Sequence, residues 1–130
     1  MKRIVFFLFC MLFSFSFSFS APGKDRSFFF VQLSDPRLGL CSEDGGFERE
    51  KQQFKQFVDA INRLKPAFVV ISGNLVNDRG NAAQLAGFRE LCRRIDSKIP
   101  IYLLPGACDV GDEASPEAVQ DFIGRYGSDR

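Results

Sequence analysis

The sequence contains no histidine at all, carries a formal net charge of only +1, and offers four cysteines in 130 residues. The first absence removes imidazole, the commonest transition-metal ligand in proteins and the side chain that titrates near neutrality without perturbation. The second removes a nucleic-acid footprint, because the basic and acidic residues are interspersed and no basic face is available to track a phosphate backbone. The cysteines show no zinc-ribbon spacing. Internal repeats are absent beyond a simple alternation of element types. What remains is 45% hydrophobic and 25% charged, a globular composition with room for one small domain and one core.

The long compositional anomaly is at the start. Lys2 and Arg3 precede the apolar run Ile4 to Leu12, and an alternating Ser/Phe tract follows from Phe13 to Ser20. A basic flank, an apolar core and small residues at Ser18 and Ser20 describe a secretory signal peptide cleaved before Ala21. The competing reading is a retained membrane anchor. Ile4 to Phe19 falls just short of the roughly 17–25 apolar residues that span a bilayer, and its serines weigh against spanning. Residues 1–20 are therefore assigned to the leader, 21–27 to a linker and 28–130 to the domain, and the expected localisation is secreted or periplasmic. Loss of Lys2 and Arg3 takes the 17 basic residues to 15, against 16 acidic. Cys10 leaves with the leader, so Cys41, Cys92 and Cys108 remain, an odd number that allows at most one internal pair.

Within the domain, Phe28 to Leu33 is a short run of aromatic and branched residues that reads as a buried strand ending at Ser34-Asp35-Pro36. Phe54, Phe57, Val58, Ile61 and Leu64 share one face of a helix that Pro66 stops. Ala67 to Ser72 is a second strand closed by Gly73. Leu85, Phe88, Leu91, Cys92 and Ile95 line a second helix. Ile101 to Leu104 is a third strand, and Ser115-Pro116 supplies an N-cap and first-turn proline to a last helix with Val119, Phe122, Ile123 and Tyr126 aligned. The order βαβαβα implies an α/β fold with a mostly parallel sheet flanked by helices. The nine phenylalanines outside the leader are expected to build the core. A three-stranded sheet leaves an open edge, which invites a dimer or a partner chain to cover it.

Ligands of open parallel sheets bind beyond the carboxyl ends of the strands, so the residues there carry the functional reading. They are Ser34-Asp35-Pro36-Arg37, Gly73-Asn74-Leu75-Val76-Asn77 and Gly106-Ala107-Cys108-Asp109. Each alone is ordinary turn chemistry. As a set, in this order and at these intervals, they resemble the calcineurin-like metallophosphoesterase family, whose first three motifs are Asp-x-His, Gly-Asp-x-x-Asn/Asp and Gly-Asn-His-Asp/Glu, each following a strand of a βαβαβ unit. The likeness is nearest to the calcineurin-like phosphoesterase domain-containing branch, through Phe29 to Leu40, Ala60 to Pro66, Phe68 to Asn77 and Ile99 to Gly106. It covers Phe28 to Arg130.

The resemblance implies the front half of a metallophosphoesterase α/β sandwich, and an activity that hydrolyses phosphoesters with two divalent metals, manganese, iron or zinc, clamping the phosphoryl group. By family position Asp35 matches a metal-ligating carboxylate. Asn74 stands where the family has the aspartate that bridges both metals, exchanging an anionic bridge for a neutral amide. Ala107 replaces a ligating asparagine, Cys108 replaces the histidine beside the leaving group, and Arg37 adds a fixed positive charge where a metal would sit. The family's later histidine-bearing region has no counterpart before Arg130. The resemblance therefore implies a truncated domain with degenerate motifs that binds metal weakly or not at all and is inactive alone. Two alternatives stand beside it. One is a secreted, metal-independent module that binds an anion or peptide through Arg37, Cys108 and Asp109; the other is half of a two-chain phosphatase.

Overall fold

The computed structural model describes residues 27–41 and 47–127. The leader and all of the linker but Ser27 lie outside the described residues. Among those described, no helix is long and apolar enough to cross a membrane.

Three short strands, β1 (Val31–Ser34), β2 (Val69–Ser72) and β3 (Ile101–Leu104), form one parallel sheet in the order β1-β2-β3. The register runs Val31↔Val69↔Ile101 through Ser34↔Ser72↔Leu104. Helix α1 (Glu48–Leu64) joins β1 to β2 and α2 (Ala82–Arg93) joins β2 to β3. After β3 come a single helical turn, α3 (Ala107–Val110), and α4 (Pro116–Tyr126). The α/β architecture and the parallel sheet are those implied by the sequence.

Local chemistry accounts for the element ends. On α1 the apolar positions Phe54, Val58 and Ile61 are buried, a spacing that keeps them on one face. Lys65 closes that helix in the left-handed region at φ 53°, its N–H donating to the Ile61 carbonyl at 2.9 Å, and Pro66 prevents continuation. Asn81 caps α2, its side-chain oxygen accepting from Ala83 N at 3.0 Å and Gln84 N at 3.2 Å. Ser115 caps α4 by accepting from Ala118 N at 3.1 Å, with Pro116 in the first turn. Each such cap supplies an acceptor to an amide that the helix itself leaves without one.

Helices α1 and α2 pack against each other, as expected when two right-handed crossovers lay successive helices on the same face. The Phe54 and Phe88 rings stack 5.6 Å apart, and Phe88 meets Tyr126 of α4 edge-on at 5.7 Å. Val69 and Ile71 of the central strand are fully buried beneath them, joined by the partly buried Val31, Leu33, Ile101 and Leu103.

The alternate residues of the strands face the other way, where no described helix lies. The Phe28 to Leu33 run is correspondingly not a buried strand throughout. Ladder pairing begins at Val31, and Phe28, Phe29 and Phe30 are exposed. Phe30 stacks on Phe68 at 4.9 Å, and Phe68 meets Tyr102 edge-on at 5.7 Å. Phe28, Phe30 and Phe68, expected in the core, thus form an aromatic row with Tyr102 on the uncovered face, with Phe28 70% and Tyr102 57% exposed.

Candidate functional site

The carboxyl ends of the three strands converge, and the sequence between them is short and rich in groups that bond to one another. After β1, Asp35 and Arg37 both take left-handed backbone, at φ 55° and 39°, a region uncommon for residues with a side chain. The chain there turns alongside the segment that follows β2. Arg37 N donates to the Asn74 carbonyl at 3.0 Å, Leu38 N to the Leu75 carbonyl at 3.2 Å, and Leu38 pairs with Val76 in an isolated parallel bridge. Arg37 is half-buried and its Nε donates to Asn77 Oδ1 at 3.1 Å.

The segments after β2 and β3 approach more closely still, and two glycines permit it. A Cβ at Gly73 would fall 2.1 Å from Gly106 N, and one at Gly106 would fall 2.6 Å from Asn74 Oδ1. No side chain fits at either position.

Asn74 occupies the middle of this convergence. Its Nδ2 donates to Asp35 Oδ1 at 3.1 Å, its backbone N donates to the same oxygen at 3.2 Å, and its Oδ1 accepts from Cys108 N at 2.7 Å. The carboxamide thereby links all three strand ends as a donor on one side and an acceptor on the other, a role that the two-sided chemistry of an amide allows and a carboxylate does not.

Asp109 is only 4% exposed and turns inward. Its carboxylate accepts from Leu75 N at 3.0 Å, Val76 N at 3.4 Å and Gly106 N at 2.8 Å. A buried carboxylate is costly unless it is compensated, and here three amides of two loops supply the compensation. The structure thus brings Asp35, Asn74, Cys108 and Asp109 into one hydrogen-bonded cluster and sets Arg37 beside it.

Sequence reading named these five positions but not the residues that hold them. Asn77 anchors Arg37. Gln84 accepts from Asp78 N at 2.8 Å, and its side chain fills the space a Cβ at Gly39 would need, 2.1 Å from Nε2. A glycine at each turn was the available signal; its partner, far away in sequence, was not.

Asp35 and Asn74 are the residues that could hold a metal, and their donor atoms do not fit a pair of divalent cations. The Asn74 side-chain and backbone nitrogens both donate to Asp35 Oδ1, the Asn74 side-chain oxygen already accepts from Cys108 N, and the Asp109 carboxylate accepts from buried amides of the protein interior. Among the described residues no three His, Cys, Asp or Glu side chains gather in a way that could hold a metal ion, and the full sequence has no imidazole to add.

No family model matches the chain. Pairwise similarity is nonetheless clear. The serine/threonine-protein phosphatase CPPED1 of Danio rerio is 33% identical to it across 78% of this chain and 38% of the relative. The proteins of the same name from Bos taurus and Homo sapiens are 34% and 31% identical, each across 78% of this chain and 37% of the relative. The chain spans less than two fifths of the length of these relatives.

Proposed function

The chain belongs to the calcineurin-like phosphoesterase branch that these relatives represent, and from that footing we propose that it is a phosphoesterase-like protein whose strand-end cluster does not hydrolyse phosphoesters unaided. The observation that carries this reading is the position of Asn74, with both ends of its carboxamide satisfied inside the protein. Two-metal hydrolysis needs an anionic bridge between cations and an activated water held between them. Asn74 offers a single neutral oxygen, already accepting from Cys108 N, and its NH₂ group would repel a cation approaching Asp35 Oδ1. Both ends of the Asn74 carboxamide are thus spent on groups of the cluster itself.

The test is metal content together with p-nitrophenyl phosphate turnover of the purified chain, with and without added manganese or zinc. The expected result is substoichiometric metal and no turnover above the buffer rate. Stoichiometric metal with turnover abolished in Asp35→Ala would overturn the reading.

A second reading, half of a phosphatase completed by another polypeptide, is favoured by one specific observation. Among the described residues no helix covers the sheet face opposite α1 and α2, where Tyr102 and Leu104 are exposed, and the match covers 38% of the Danio rerio relative. Turnover that appears only when the unmatched portion of a relative is added as a separate polypeptide would support it. A phosphoester or other anion is the proposed ligand of the cluster in either case, with Arg37 supplying positive charge; Arg37→Ala should abolish saturable binding of inorganic phosphate. Export through the leader is likewise proposed, and the amino-terminal residue of the exported protein should be Ala21.

A further inference from the structure

The sheet ends at β3, and the outer edge of that strand is unpaired. Val69 N donates to the Pro100 carbonyl at 2.9 Å and Gly73 N to the Leu104 carbonyl at 2.7 Å, with Val70 opposite Tyr102 between them. Successive residues of a strand direct their backbone groups alternately to either side. Tyr102 and Leu104 therefore face β2, and the amides and carbonyls of Ile101 and Leu103 point away from it. Among the described residues no group donates to or accepts from those amides and carbonyls.

A cavity of about 200 Å³ runs along that edge. Ile101, Tyr102 and Leu103 all line it, although Tyr102 alternates with its neighbours and turns to the opposite face of the sheet. A space touching three consecutive strand residues lies beside the backbone, not over one face. Its far wall is α4, through Phe122 and the half-exposed Ile123. At the β1 edge the outward residues are Gln32 and Ser34, both exposed and polar, the kind of edge that sheets leave to water.

Helix α4 also has a place in the order of the sheet. Helix α1 leads from β1 to β2 and α2 from β2 to β3, each step moving one strand outward. Helix α4 follows β3 in the same way, and a crossover of the same hand through it leads to the position beside β3. Unpaired backbone groups, an apolar slot and a helix placed to flank a strand thus coincide. A small molecule would fill the slot and leave the backbone groups unmet; an extended strand answers both.

We propose that the β3 edge docks one extended segment of another polypeptide, its backbone bonding Ile101 and Leu103 and its alternate apolar side chains entering the space between β3 and α4. In strand addition the main-chain bonds supply affinity and pockets for alternate side chains supply specificity. Liquid water occupies about 30 Å³ per molecule, so the space holds roughly six or seven waters or a similar number of methyl and methylene groups, which a pair of aliphatic side chains supplies. A second copy of this chain fits less well, because it would bring its own α4 against the same wall. Whether the strand-end cluster turns over phosphoesters does not bear on this docking.

The test is titration of the purified chain with the synthetic peptide acetyl-Lys-Thr-Val-Thr-Val-Thr-Lys-amide, followed by calorimetry and by hydrogen exchange at single amides. Saturable binding is expected, with exchange at Ile101 and Leu103 slowed at least about tenfold and Tyr102, whose amide faces β2, little changed. The same peptide with its threonine and valine nitrogens methylated keeps the side chains and loses the donors. It should bind at least about tenfold more weakly, the scale of two net hydrogen bonds. Leu103→Pro removes one outward N–H at an edge position, where proline is tolerated, and should weaken the peptide several-fold. Ile123→Lys, at an exposed position on the α4 wall, should do the same without altering the melt, and keeps the test decisive if Leu103→Pro fails to fold. The proposal would be overturned by no saturation of the folded protein, by equal binding of the methylated peptide, or by slowed exchange at Gln32 and Ser34 in place of Ile101 and Leu103. Slowing at Ile101 and Leu103 that grows with protein concentration alone would place a second copy at the edge and overturn it too.

Discussion

The two faces of the sheet are made by the same three strands and have opposite surroundings. On one, Val69 and Ile71 lie fully buried beneath α1, α2 and α4; on the other, Phe30, Tyr102 and Leu104 are more than half exposed. Parallel sheets ordinarily have both faces covered, because crossover helices fall on each side. Here both crossovers fall on one side, and the residues on the other are mixed: Phe30, Val70, Tyr102 and Leu104 stand beside Gln32, Ser34 and Ser72. That face is more apolar than an ordinary solvated one at its Phe30, Phe68 and Tyr102 end and polar along β1. The relatives, with more than half their length unmatched, have chain to spare for a cover.

The sharpest way to break this comparison is to weaken one face at a time. Phe88→Ala removes the ring that meets both Phe54 and Tyr126, and should destabilise the chain by about 3–5 kcal/mol in chemical denaturation, as large-to-small changes in a packed core do. Near the rim between the faces, Asp109→Ala strips the acceptor from the amides of Leu75, Val76 and Gly106. The expected loss is about 3 kcal/mol, the scale of leaving buried donors unsatisfied, while Asp109→Asn retains an acceptor and should lose roughly half as much.

The open face should respond differently. Phe30→Ser is expected to lower stability by less than about 1 kcal/mol, as for surface positions, and to reduce self-association in sedimentation, because an exposed apolar row is a contact surface. A loss comparable with that of Phe88→Ala would mean that the face is covered in solution.

How far this contrast was readable beforehand depends on the range of the interaction that decides each feature. The α1 face, its stop at Pro66, β3 and the Ser115-Pro116 start of α4 depend on neighbours within a turn or two, and periodicity and capping chemistry are sufficient for those. The Phe28 to Leu33 run was not readable in the same way: an apolar run says that both faces could be buried, not which face meets a helix. The strand-end positions were legible as a set because each follows a strand. Their closure was not, since the bonds from Asn74 to Asp35 and Cys108 join residues 39 and 34 positions apart. Tyr126 was legible as a core-facing residue of α4, yet nothing local reveals that its hydroxyl has no partner.

The smallest expected effect concerns the helix that completes the covered face. Helix α4 brings Phe122 and Tyr126 to that face, and its first turn rests on Ser115, whose hydroxyl caps Ala118 N. The Glu117 carboxyl is held below its ordinary value chiefly by a hydrogen bond with its own backbone amide and then by the Ser115 side chain. A depressed carboxylate contributes stability that is present above its unfolded value of 4.5 and is lost as pH falls through the folded value. Ser115→Ala should cost about 1 kcal/mol at neutral pH through the lost cap, and it also removes part of what holds Glu117 ionised. The melting temperatures of wild type and variant should therefore lie closer together at pH about 3 than at pH about 6, where the carboxylate is fully ionised in both folded and unfolded chains. An equal gap at both pH values would separate the cap from the carboxylate and leave α4 held to the covered face by Phe122 and Tyr126 and by the Ser115 cap alone.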